Sequence, residues 1–93
     1  MPKWLRPAER DLDQVEAYIA RDNPRAAIEM VLTIIAAVEQ LDAFPGMGRP
    51  GRVQGTKELV VAGTPYIVPY RKKGGRIEIL RVYHAARLWP ETF

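Results

Sequence analysis

The 93-residue sequence contains no cysteine. Disulfide scaffolds, thiolate metal sites, iron–sulfur clusters and a cysteine nucleophile are therefore excluded. It has one histidine, His84, too few for a histidine-rich metal site. Neither a metal nor a cofactor is expected. No apolar run reaches the roughly 18 residues of a membrane span. The first residues, Met1-Pro2-Lys3-Trp4-Leu5-Arg6-Pro7, lack the apolar stretch of a secretory signal. A cytoplasmic protein without membrane contact is expected. Repeats, low-complexity segments, a Ser-His-Asp set and a phosphate-binding loop in strand–turn–helix context are all missing.

What is present suits one globular domain over 1–93. Apolar residues make up 47% and charged residues 27%, a balance that argues against disorder. The length allows one modest core. The formal charge of +3 is unevenly spread. Residues 1–43 carry five Lys/Arg and eight Asp/Glu, net −3, and residues 44–93 carry nine and three, net +6. A basic second half points to an anionic partner, either nucleic acid or an acidic protein surface.

Helical spacing dominates the first half. Trp4-Leu5 opens as a short strand, and Pro7 fits a first helical turn, where its missing N–H costs nothing. Ala8, Leu12, Val15 and Ile19 then recur on one face. Asn23 is placed to cap a second helix with Pro24 in its first turn. That helix is expected to run to about Asp42, giving a helical hairpin over about 7–43. Its apolar set, Ile28, Val31, Leu32, Ile34, Ile35, Val38 and Leu41, spans an arc of roughly 200°, about twice a minimal buried stripe. Contact with both the first helix and a sheet accounts for such an arc. A docking partner would use part of it.

A Gly/Pro-rich loop over 44–56 separates this hairpin from a segment of strand character, about 57–84, with a tail over 85–93. Lys57 to Ala62 and Tyr66 to Arg71 read as strands. Pro69 cannot donate to a ladder, which favours a sheet edge or a bulge at that point. Lys72-Lys73-Gly74-Gly75 signals a hairpin, and Arg76 to Tyr83 reads as a central strand. The fold class is α+β, two N-terminal helices packed on a small, twisted antiparallel sheet.

Period-two alternation places Ile77, Ile79, Arg81 and Tyr83 on one face of the last strand. With Leu80 and Val82 under the helices, Arg81 and Tyr83 emerge on the open face, and His84 and Arg87 follow. Arg71 and Lys72 approach across the hairpin. Arginine pairs with phosphate oxygens and tyrosine stacks on bases. In a ribonuclease, His84 is the natural acid/base group and a cation stabilises the phosphorane.

The ordered features Ala8-Glu9-Arg10-Asp11-Leu12, Asp22-Asn23-Pro24, Phe44-Pro45-Gly46-Met47-Gly48-Arg49-Pro50, Val68-Pro69-Tyr70-Arg71 and Ile77 through Arg87 resemble the RelE/ParE superfamily of bacterial toxins from type II toxin–antitoxin modules. The resemblance covers nearly the whole chain. It implies a cognate antitoxin that wraps the toxin and binds operator DNA itself, so that the toxin meets operator DNA only through it. Leu12, Val15, Ile19, Met30 and Ile34 are then the expected antitoxin contacts. RelE-like members cut mRNA on the ribosome without a metal, whereas ParE-like members inhibit DNA gyrase. The ribonuclease branch has lysines on the strand matching 58–62 and an arginine near 67, where this chain has Glu58, Val60 and Ile67. The Pro-Gly-Met-Gly loop and the Glu-Ile-Leu-Arg-Val-Tyr-His strand are closer to the ParE branch. Growth arrest through DNA gyrase is therefore the expected function, with Arg71, Lys72, Arg81 and Arg87 touching the target. The alternatives are a ribosome-dependent mRNA endonuclease using His84, Arg81, Tyr83 and Arg87, and a non-toxic nucleic-acid or protein adaptor.

Overall fold

A computed structural model describes residues 1–86. Most of the tail expected over 85–93, Arg87 included, lies outside the described residues. The chain begins with β1 (Lys3–Trp4) and enters α1 (Arg6–Ala20) one residue earlier than Pro7 suggested. No side chain caps α1. Its position is set instead by tertiary contacts, through the buried residues Ala8, Asp11 and Val15 on one stripe. α2 (Pro24–Glu39) starts as the sequence indicates, with the Asn23 side chain accepting from the Ala26 N–H at 3.1 Å. It then tightens into a single 3₁₀ turn, Gln40–Asp42, which buries Leu41.

The strands that follow are β2 (Arg49–Pro50), β3 (Lys57–Val60), β4 (Tyr66–Lys73), β5 (Arg76–Ile79) and β6 (Tyr83–His84). The sheet order is β1-β5-β4-β3-β2, with β6 also pairing β4. All pairings are antiparallel except that β1 lies parallel to β5, Lys3 opposite Glu78 and Trp4 opposite Ile79. The sheet is therefore mixed rather than wholly antiparallel. The sequence shows no parallel pairing there, because a two-residue strand carries too little pattern to reveal its partner.

β4 is the centre of the sheet, although it contains Pro69. Between the pairs Tyr70–Ile79 and Ile67–Tyr83, β4 supplies Val68 and Pro69, while the opposing line supplies Leu80, Arg81 and Val82. Two residues face three, which is a β-bulge. The Pro69 carbonyl accepts from the Leu80 N–H at 2.9 Å. In an antiparallel strand a residue's nitrogen and carbonyl point to the same side, so the proline nitrogen, with no hydrogen to give, also faces the bulge. The missing donor thus falls where the ladder is already interrupted.

The helices cover one face of the sheet. Ile34, Val38 and Leu41 pack with Val61, Val68, Tyr70, Ile79 and Val82 in one cluster. Full burial of a side chain such as Ile34 contributes about 1.5–3 kcal/mol. The Tyr70 hydroxyl donates to the Pro45 carbonyl at 2.8 Å and accepts from the Gly48 N–H at 2.9 Å. It thereby pins the Gly/Pro-rich loop to the sheet. A Cβ on Gly48 would lie 2.6 Å from that hydroxyl, so the loop's close approach requires glycine there. Burial pushes the Tyr70 hydroxyl above its ordinary pKa, with the Gly48 hydrogen bond acting in the opposite direction. The neutral form is favoured in the fold, so this contribution is complete below about pH 10 and is lost as pH rises through the folded value. Tyr70→Phe orphans both loop groups and is expected to cost about 1–3 kcal/mol in denaturant unfolding. It should also flatten the fall of stability at alkaline pH. Unchanged stability across that range would contradict the pinning role.

Candidate functional site

The bulge decides where the sequence-expected site residues lie. Tyr66, Val68 and Tyr70 belong to the core under the helices, so Ile67, Pro69 and Arg71 turn to the other face. Tyr83 pairs with Ile67 and shares that face, and His84 pairs with Tyr66 on the helix side. Ile77, Ile79 and Val82 all join the core cluster. This corrects the period-two expectation. The extra residue resets the alternation, so Ile77 and Ile79 do not share a face with Tyr83, and Leu80 is buried apart from the core cluster. The centre of the far face is also not open, since Glu58, Ile67, Pro69, Leu80 and Tyr83 are all buried.

Arg81 does not project onto an open face. Its Nε and Nη2 donate to Asp11 of α1 at 2.6 and 3.0 Å, and the Val82 N–H donates to the same carboxylate at 3.0 Å. The Arg81 guanidinium carbon lies 4.8 Å from the centre of the Tyr83 ring. A bulge leaves backbone groups without ladder partners. Asp11 takes up one of them, the Val82 N–H, together with the adjacent charge, in a bidentate pair. The Asp11 hydrogen bonds hold the Arg81 guanidinium above its ordinary pKa. Burial raises the Tyr83 hydroxyl, partly offset by Arg81. The sequence missed Asp11. Its signal was a lone acid within the apolar stripe of Ala8, Leu12 and Val15.

His84 sits nearby, edge-on to Tyr66 with ring centres 5.6 Å apart. Its Nδ1 accepts from the Ala86 N–H at 3.1 Å. Together with Asp11, Gln14, Tyr18 and Tyr66 it lines a cleft of about 510 Å³ between α1 and the β6 edge. The structure therefore brings Arg81 against Tyr83 and leaves His84 on the opposite face, linked to them only through Asp11, which lines the His84 cleft and engages the arginine. Arg71 and Lys72 lie on the β4–β5 hairpin instead. No group of three or more metal-ligating residues occurs among the described residues, and no described helix is long and apolar enough to cross a membrane.

Two further ion-pair systems shape the sheet. Buried Glu58 accepts from Arg49 Nε at 3.1 Å and from the Arg52 N–H at 2.9 Å, and Arg49 Nη2 lies 3.0 Å away. It organises the turn after β2. Opposite it on the sheet, Arg71 Nε donates to Glu78 Oε1 at 2.9 Å. That bond, aided by the charges of Lys73 and Lys3, holds the Glu78 carboxyl below its usual range.

The residues expected to meet an antitoxin are largely spent inside the fold. Val15 and Ile34 are core residues, and Leu12, Ile19 and Met30 pack against that core. Periodicity marks these positions as apolar surface to be covered, but it does not distinguish the protein's own core from a foreign partner. Exposed apolar side chains lie elsewhere on α2 and near β3: Ile28, Leu32, Phe44, Met47 and Val60. Beside them runs a groove of about 580 Å³, lined by Thr33, Ala36, Gln40, Met47, Val60 and Ala62 among others. Ile28, Leu32 and Ala36 are four residues apart and form one helix stripe along it. β2 pairs only with Lys57 and Glu58, and the Val61 N–H is directed to Tyr66 of β4. The Val60 amide and carbonyl therefore point to the outer edge, beyond the end of β2.

Comparison with known proteins places this architecture among toxins. A family model described as "ParE toxin of type II toxin-antitoxin system, parDE" matches residues 3–89. The chain is 47% identical over 90 residues to protein Y4kP of Sinorhizobium fredii, covering 97% of this chain and 93% of the relative. It is 36% identical over 85 residues to Toxin RelE2 of Caulobacter vibrioides, covering 91% and 94%. A solved structure from the chromosomal ParDE system of P. aeruginosa superimposes with a TM-score of 0.79 at 36% identity, covering 88% of this chain and 91% of that one.

Proposed function

The chain belongs to the ParE toxin family of type II toxin–antitoxin systems, and from that premise we propose that it arrests growth by inhibiting DNA gyrase rather than by cutting mRNA. The family implies a cognate antitoxin. The observation that carries the choice of target is the bidentate Asp11–Arg81 pair. A phosphoryl-transfer site needs a cation aimed at the charge that develops in the transition state. Arg81, the arginine nearest His84 in the described sequence, is already turned toward α1, and the positions matching the ribonuclease branch's cations hold Glu58, Val60 and Ile67. Glu58 carries the opposite charge and is buried among arginines.

Purified toxin is expected to inhibit supercoiling by gyrase and to leave mRNA intact on translating ribosomes. His84→Ala should arrest growth as wild type does. The name of the Caulobacter relative, Toxin RelE2, and the His84 cleft favour the ribonuclease as the second reading. Codon-dependent mRNA cuts that disappear in His84→Ala would establish it and remove the gyrase proposal. Growth unaffected by induced expression would leave an adaptor.

For neutralisation, the proposed antitoxin contact is the groove between α2 and β3 together with Ile28 and Leu32, which continue the helix stripe of its lining residue Ala36. This side carries most of the large apolar groups left exposed among the described residues, and burying such groups is the main source of affinity in a stable complex.

A further inference from the structure

The β4–β5 hairpin has a different character from the groove. It is a two-stranded ribbon closed by Gly74 and Gly75, both at positive φ (60° and 76°). Consecutive positive φ values give the tight turn whose twist matches the strands. Four of the six residues from Arg71 to Arg76 are cationic. The pairing sets Lys73 directly opposite Arg76, and like charges placed so destabilise a ribbon. Alternation puts Arg71, Lys73, Arg76 and Glu78 on one face, and Lys3, opposite Glu78 on β1, joins them. Glu78 is paired with Arg71. Lys72, Lys73 and Arg76 are exposed and have no carboxylate within 4 Å among the described residues, although the charge of Lys73 acts on Glu78. A closing pair of like charges is a local cost that folding alone does not explain, and an anion lying across the tip would relieve it.

We propose that the β4–β5 hairpin binds the phosphate backbone of duplex DNA, through Lys72, Lys73 and Arg76, without reading its sequence. A two-stranded ribbon fits the major groove of B-form DNA, and the deep, narrow major groove of duplex RNA does not admit it. Single-stranded nucleic acid is normally held by aromatic stacking platforms, and no aromatic residue occurs from Arg71 to Glu78. Lysine and arginine at the tip suit sequence-independent phosphate contact. This goes beyond gyrase inhibition, because a toxin could inhibit the enzyme without touching DNA.

The test is fluorescence anisotropy of the full chain with a labelled duplex of mixed sequence, without gyrase, over a salt series. Three phosphate contacts predict an affinity loss of roughly 40-fold between about 50 and 200 mM salt. A scrambled duplex should bind equally well. Arg76→Glu puts an acid opposite Lys73, so the hairpin should remain folded by circular dichroism. Its binding should weaken about tenfold, with a salt slope shallower by at least about one. Lys72→Gln with Lys73→Gln should lose about two units of slope. Tighter binding to a single strand of the same sequence, or to polyglutamate, would overturn the proposal, as would no duplex binding or variants indistinguishable from wild type. Such a failure would not bear on gyrase inhibition, which the supercoiling assay measures separately.

Discussion

Asp11→Ala is expected to destabilise the protein by about 2–4 kcal/mol in denaturant unfolding, out of all proportion to an acid on a helix surface. Breaking a buried ion pair from one side costs about 3–5 kcal/mol, because the surviving charge has lost its partner. The figure is reduced here because the Arg81 side chain is 35% exposed and water can still reach it. The substitution also removes the acceptor of the Val82 N–H, and a buried donor left unsatisfied costs about 1–3 kcal/mol by itself. Arg81→Ala should cost a comparable amount, since Asp11 would keep its backbone bond but its carboxylate, only 9% exposed, would lose its countercharge. The two substitutions should be strongly non-additive in a double-mutant cycle, as expected for groups sharing one interaction. A loss below about 1 kcal/mol for Asp11→Ala would show that the carboxylate is not the tie between α1 and the bulge.

Ile28→Glu combined with Leu32→Glu is expected to leave the fold intact and to weaken antitoxin binding more than a hundredfold, equivalent to about 3 kcal/mol. Both side chains are more than half exposed, at 55% and 59%, so their removal takes nothing from the core. Covering two such groups provides much of that energy, and burying two carboxylates in their place opposes docking further. Circular dichroism checks the first outcome, and titration with the cognate antitoxin, with loss of rescue on co-expression, measures the second. Substitutions at Val15 or Ile34 should instead lower stability before they alter binding, because those residues face the core. Undiminished affinity in the double variant would place the antitoxin elsewhere.

Much of the fold was legible in the order of residues. Asn23 and Pro24 mark the start of α2, Gly74 and Gly75 mark the hairpin, and the apolar stripe of α1 marks its inner side, whereas of the apolar set read for α2 only Ile34, Val38 and Leu41 are buried and Ile28 and Leu32 stay exposed. These are local signals, each arising from the conformational limits of a few neighbouring residues. The family was equally legible, because it rests on the succession of such signals along the chain. The site was less so. Pro69 announced a defect in the ladder, as edge or bulge, but not which side chains the defect would redirect.

The sequence by itself determined the two helices, the strand-forming second half, the uneven charge and the kinship with toxins. The tertiary structure alone decided that β1 runs parallel to β5, that one extra residue opposite Pro69 reverses the facing of β6, and that Arg81 turns to Asp11, seventy positions away. The reason is physical. Helix and turn propensities act over a few residues, whereas strand register and the pairing of a buried charge depend on which distant segments the folded core brings within hydrogen-bonding distance.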